Sequence, residues 1–160
     1  MEILSGVLIC ARDKVYKKRQ LAAVNTHVVH RCFVGKTLSE SAEAFRDTKE
    51  FAAGFYTGGK WPYHYYILKD GTVYNCLSLA SIAPAAMKTL NNCGVHTALE
   101  GDFRKESPGP LQVAALLQLH RHLEAKLGKK LKLRGHTDEA GASSDPNKQC
   151  PGHKLILPKT

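Results

Sequence analysis

The run from Tyr63 to Cys76 leaves the chain the least conformational freedom. Tyr63-His64-Tyr65-Tyr66-Ile67-Leu68 is aromatic and aliphatic, which suits an extended strand. Asp70-Gly71 follows as a strong signal for a two-residue hairpin turn, because glycine tolerates positive φ. Thr72 to Cys76 then returns as the next strand. A hairpin commits this part of the chain to a sheet. The remaining sequence must supply more strands and a layer to cover them.

It has the material for both. Thr26-His27-Val28-Val29-His30-Arg31-Cys32-Phe33 is rich in β-branched residues and reads as a strand. Thr37 to Phe55 is predicted as a helix: Thr37 and Glu40 match a capping box, Leu38, Ala42, Phe45 and Ala52 share a face, and Gly58-Gly59 ends it. An Ala- and Pro-rich loop runs to Ala86, and Gly94 to Leu99 is a further strand. Pro108-Gly109-Pro110 introduces a long helix, Leu111 to Leu127, with Val113, Leu116, Leu119 (or His120), Leu123 and Leu127 on its buried face. Leu131 to Leu133 is a short final strand before Gly135-His136. The basic opening up to Gln20 is poorly patterned, and Asp138 to Gly152 reads as loop. The expectation is an α/β fold: one domain over residues 1–160, with a central mixed β-sheet flanked by α-helices.

At 160 residues and 43% hydrophobic composition, the chain can bury one ordinary core. No run approaches the ~18 consecutive apolar residues of a membrane span. The net charge of +9 favours anionic partners such as wall polymers or a membrane surface. Apart from Lys14 to Arg19 and Lys126 to Arg134, the basic residues are scattered. With no zinc-finger spacing, aromatic RNA-binding signature or long basic helix, nucleic acid is not the expected partner. Met1 to Cys10 carries Glu2 and no basic leader, so the expectation is no signal peptide and a protein that stays in the cytoplasm unless something else releases it. Five cysteines, an odd number at long spacings, argue against a disulfide framework. Cys10, Cys32, Cys76 and Cys93 are read as reduced, small buried residues.

Among eight histidines, His122 and His153 read as surface residues and His120 as a boundary residue. His64 alternates with Tyr63 and reads as structural; His27 lies on the face opposite His30. Two histidines differ in placement. His30 closes an apolar strand, and His136 follows a strand and a glycine. Cys150 comes fourteen residues after His136, within Asp145-Pro146-Asn147-Lys148-Gln149-Cys150-Pro151-Gly152. Two imidazoles and a thiolate suit tetrahedral zinc, and three protein ligands leave a fourth position open, as in catalytic sites. Spacing alone leaves open the alternative of three unrelated structural residues.

Five motifs in order carry a resemblance. They are Val28-Val29-His30; Pro62-Tyr63-His64-Tyr65 with Leu68-Lys69-Asp70-Gly71-Thr72-Val73-Tyr74; Asn92-Cys93-Gly94-Val95 with Leu99-Glu100-Gly101-Asp102-Phe103; Gly135-His136; and Asp145-Pro146 to Cys150-Pro151. From Asn25 to Pro151 the chain resembles the zinc-dependent N-acetylmuramoyl-L-alanine amidases of the phage-lysozyme and peptidoglycan-recognition-protein type.

The resemblance implies zinc held by His30, His136 and Cys150, with Tyr63 and Lys148 at catalytic positions. It implies cleavage of the amide between N-acetylmuramic acid and L-alanine by a monomeric phage or prophage endolysin, with peptidoglycan or muropeptide as substrate. Tyr63 and Lys148 would donate to the oxyanion of the tetrahedral intermediate. The sequence departs from the family pattern in having no histidine in Ile82 to Met87, Cys93 and His96 where apolar residues are common, and Arg31 after His30. The competing readings are a cytoplasmic muropeptide-recycling amidase, whose third ligand is usually aspartate, and a non-catalytic peptidoglycan-binding module, which typically lacks the cysteine. Cys150 favours the lytic enzyme over both.

Overall fold

A computed structural model describes residues 2–5, 16–32, 62–139 and 149–159. Six strands form one sheet: β1 (Ile3–Ser5), β2 (Thr26–Cys32), β3 (Tyr65–Ile67), β4 (Val73–Asn75), β5 (Gly94–Glu100) and β6 (Lys132–Gly135). Their order is β1-β4-β3-β5-β2-β6. Only β3 and β4 run antiparallel; the other neighbours are parallel. Three α-helices are described, α1 (Lys88–Cys93), α2 (Pro110–Leu127) and the single turn α3 (His136–Glu139), besides a 3-10 turn at Leu21–Ala23. The sheet is mixed, as the sequence predicts.

The β3–β4 connection differs in detail from the expected two-residue turn. Leu68 N–H donates to the Thr72 carbonyl at 2.9 Å, so Lys69, Asp70 and Gly71 all lie in the loop. Gly71 sits at φ 86, the left-handed position that a three-residue hairpin loop assigns to glycine. Asp70 accepts the Thr72 N–H through its carboxylate, which holds the turn.

Alternation along β2 and β5 divides the sheet into two faces. Val29, Val95 and Leu99 join Leu116, Leu119 and Leu123 of α2 in the main core. Ala98 and Tyr66 join Tyr16, Tyr63, Leu68 and Leu77 in a second cluster. Helix α2 begins with Pro110 and ends at Gly128, whose φ of 64 lets its N–H reach the Glu124 and Ala125 carbonyls.

The buried face of α2 is Gln112, Ala115, Leu116, Leu119, His120 and Leu123. Leu119 and His120 are both covered, whereas Val113 and Leu127 are only half-buried, contrary to expectation. Gln112 takes the inward position at the helix start because β3 and β5 end there. Its amide donates to the Glu100 and Ile67 carbonyls at 2.8 and 3.3 Å. A leucine would forfeit both bonds. Leu119→Ala should therefore cost about 2–5 kcal/mol in urea denaturation, and Val113→Ala clearly less. Equal losses for the two would contradict this placement of the helix face.

Three further differences concern irregular regions. The poorly patterned opening contains β1, which extends the sheet edge beside β4. The loop before β5 ends in α1. Asp138 belongs to α3 rather than to a continuous loop. The helix predicted over Thr37 to Phe55, and Gly58-Gly59 after it, lie outside the described residues.

Candidate metal centre

The sheet register brings the first two histidines together. In the parallel β2–β6 ladder Val29 pairs with Gly135, so the residues that follow, His30 within β2 and His136 at the start of α3, emerge beside each other. Their ring centroids lie 4.7 Å apart. Gly135 is required here: a Cβ would meet the Asp138 carboxylate at 2.7 Å and the Pro151 ring at 2.9 Å. That carboxylate accepts the Gly135 N–H, turning the chain from β6 into α3.

Cys150 reaches the same point because its loop is tied down from three sides. Thr137, the neighbour of His136, donates its backbone N–H and its hydroxyl to the Cys150 carbonyl at 2.9 and 3.1 Å. Arg31, the neighbour of His30, donates Nε–H to the Gln149 carbonyl at 2.9 Å and its backbone N–H to Cys150 Sγ at 3.4 Å. Beyond the cysteine, Gly152 presses on the Phe103–Arg104 backbone so closely that a Cβ could not fit. Lys154 N–H donates to the Phe103 carbonyl at 2.9 Å. The Arg31 guanidinium also lies 3.7 Å from Asp102, which Arg104 grips at 2.6 Å.

One ligand-capable atom from each of His30, His136 and Cys150 lies within 4.8 Å of the other two. His30 Nδ1 and Cys150 Sγ are 3.7 Å apart. Two atoms bound to one tetrahedral zinc at ordinary Zn–N and Zn–S lengths stand ~3.6 Å apart, so the donor set fits the ion. His30 is fully buried; His136 and Cys150 are half-buried, which leaves the group open on one side. Burial holds the pKa of His30 well below its ordinary 6.5, with His136 adding to the effect. Burial likewise lowers the pKa of His136. Both shifts favour the neutral imidazole, the form that binds metal. Burial pushes the Cys150 thiol up to about 11, against a smaller opposing pull from the Arg31 N–H. A cation at this point would have to displace that proton.

Tyr63 is buried with its ring 5.0 Å from that of His30, tilted by 50°. Lys148 lies outside the described residues. His64 proves structural, as expected. Its Nδ1 accepts the His96 N–H at 3.0 Å, and its Nε2–H donates to the Ser81 carbonyl at 2.9 Å. His27 is on the opposite face, 2.8 Å from the Thr97 hydroxyl and 3.2 Å from His120. His122 and His153 are exposed. Cys76, Cys93 and Cys150 are free thiols among the described residues.

The residues that the sequence reading did not bring to the site are Thr137, Asp102 and His96. His96 is fully buried, and its Nδ1 is 2.9 Å from His30 Nε2. Its only sequence signal was its place among residues where apolar side chains are common. The notable feature of Arg31, a bulky charge directly after His30, is explained by its hold on the Cys150 loop.

A mixed sheet thus carries a His-His-Cys group at the end of its β2–β6 ladder. The N-acetylmuramoyl-L-alanine amidase model matches residues 19–153, and the chain belongs to that family. Among solved structures, it is similar to the Ph2119 endolysin from the Thermus scotoductus MAT2119 bacteriophage Ph2119, at 26% identity over 95% of this chain and 92% of that one, TM-score 0.69. The amidase LysC from Clostridium intestinale URNW matches at 24% identity over 88% and 85%, TM-score 0.60. Drosophila PGRP-LB matches at 23% identity over 96% and 89%, TM-score 0.70. These last two likenesses concern the fold. No curated protein matches the chain at a significant level.

Proposed function

We propose that the protein is a zinc hydrolase that cleaves the amide between N-acetylmuramic acid and L-alanine in peptidoglycan, acting as a phage or prophage endolysin. The observation that carries this reading is the convergence of His30, His136 and Cys150 within 4.8 Å. A solely structural zinc site would be closed by a fourth protein ligand; the described residues supply three. Bound there, zinc would supply an activated water and polarise the scissile carbonyl. The chain's own residues would do the rest. Arg31 and Thr137 hold the cysteine loop against the two histidines. Tyr63, against His30, and Lys148, two residues before Cys150, would donate to the oxyanion or protonate the leaving amine.

Cys150 supports the lytic reading over a recycling amidase or a binding module. Solved relatives include a peptidoglycan-recognition complex that holds tracheal cytotoxin, which supports a peptidoglycan fragment as the ligand class here too. The charge of +9 would draw the enzyme, as a monomer, to anionic wall polymer or membrane surface after release from the cytoplasm. The test is peptide release from purified sacculi, with zinc measured in the same samples. About one zinc per chain is expected, with activity abolished by a chelator and restored by zinc. Tyr63→Phe and Lys148→Ala should keep the metal and lose about 100- to 1000-fold in kcat. Chelator-resistant cleavage would refute the metal reading. Full activity of both variants would refute the assigned pair.

A further inference from the structure

We propose that His96 is a positioning residue for the metal centre: by accepting the Nε2–H of His30 it commits His30 to bind through Nδ1. The proposal rests on the zinc reading above and goes beyond it, to a residue outside the ligand set.

A neutral imidazole has one donor nitrogen and one acceptor nitrogen. His30 Nδ1 faces Cys150 Sγ at 3.7 Å, and its Nε2 faces His96 Nδ1 at 2.9 Å. Two arrangements of protons are open to the pair. If His96 donates, His30 Nε2 is the acceptor and the proton of His30 sits on Nδ1, toward Cys150, where it blocks ligation. If His30 donates, Nδ1 presents its lone pair to the cysteine side. Only the second arrangement binds metal, and it requires an acceptor at the place His96 Nδ1 occupies. Outer partners of this kind orient metal-bound histidines and raise their basicity.

The fold holds His96 in place with unusual care. Its backbone N–H donates to His64 Nδ1 at 3.0 Å, and its carbonyl accepts the His64 N–H at 2.8 Å. Since His64 Nδ1 accepts, its proton is on Nε2, where the Ser81 carbonyl takes it. The two rings stack with centroids 5.9 Å apart and planes within 13°. Gly94 makes room: a Cβ there would meet His96 Nε2 at 2.8 Å. That Nε2 is buried with no hydrogen-bond partner among the described residues. In the metal-competent arrangement it carries a proton.

The experiment compares wild type with His96→Leu, which removes the acceptor, and His96→Asn, whose Oδ1 branches from Cγ as Nδ1 does. Zinc affinity is measured by competition with a chromophoric chelator, and the His30 tautomer by long-range 1H–15N correlation in zinc-loaded wild type. His96→Leu should bind zinc about 10- to 100-fold more weakly. His96→Asn should recover most of that loss. The His30 spectrum should show a protonated Nε2 and a metal-bound Nδ1. Wild-type affinity in a folded Leu variant, or His30 bound through Nε2, would overturn the proposal while leaving the zinc reading intact. The spectrum of the wild type decides the matter even if the Leu variant does not fold. Absence of zinc binding by wild type itself would overturn both.

Discussion

Cys150→Ala is expected to leave the chain folded, without zinc, and inactive on sacculi. The folding half of this expectation follows from how the loop is anchored. Its contacts to Thr137 and Arg31 run through the Cys150 carbonyl and the Gln149 carbonyl, and Lys154 is held by the Phe103 carbonyl. None of these needs the sulfur, which itself meets the Arg31 backbone N–H at 3.4 Å and His30 Nδ1 at 3.7 Å. Truncation should therefore cost little stability in the metal-free protein. The functional half follows from the donor set. With the thiolate gone, two histidines remain, too few for a tight zinc site. Activity should fall to that of a chelated sample, a larger loss than the ~10- to 100-fold typical of outer contacts. The check is elemental analysis and sacculus digestion on one preparation, beside a thermal melt. Full zinc occupancy in the variant would remove Cys150 from the centre.

Taking the metal-free protein from pH 7.5 to pH 5.5 is expected to lower its stability. His27, His30 and His96 are fully buried. Burial, the largest cause in each, lowers their pKa values: His27 to about 3, the other two well below 6.5. In the unfolded chain each titrates near 6.5. Below that value the unfolded state binds more protons than the folded one, so stability is full above pH 6.5 and is lost as the pH falls toward the folded pKa values. At pH 5.5 the unfolded imidazoles are mostly protonated while the buried ones are held neutral, so all three work in the same direction. Urea midpoints at the two pH values, in the presence of a chelator, measure this directly. A flat profile would mean that the three rings are not held neutral. Since whole domains are stable by only ~5–15 kcal/mol, the loss should be evident.

Much of the fold is legible in the order of residues because its signals are local. The aromatic run from Tyr63, the glycine at Gly71 and the Pro-bounded start of α2 each act within a few residues. The strand at Thr26 and the helix at Leu111 follow from their composition and period. What failed locally was decided by neighbours in space. Val113 has the side chain of a core residue, yet Gln112 faces inward because two strand ends need a donor there. Ile3–Ser5 carries no pattern of its own; it is a strand because β4 offers an edge.

The candidate centre divides in the same way. The motifs legible in the sequence pointed, through the family resemblance, to the groups that would hold zinc: His30 late in a strand, His136 after a glycine, and Cys150 before a proline. The sequence by itself determined that His27 could not join them, since side chains alternate along a strand. The tertiary structure decided how the groups meet. The offset of β6 against β2 is a ladder register, set by pairing between segments about a hundred residues apart, and no local pattern encodes it. The place of Cys150 depends on Thr137 of α3 and Arg31 near the end of β2 reaching it together. His96 became visible as a partner of His30 only when β5 lay against β2, because a hydrogen bond between side chains is a property of packing rather than of either residue alone.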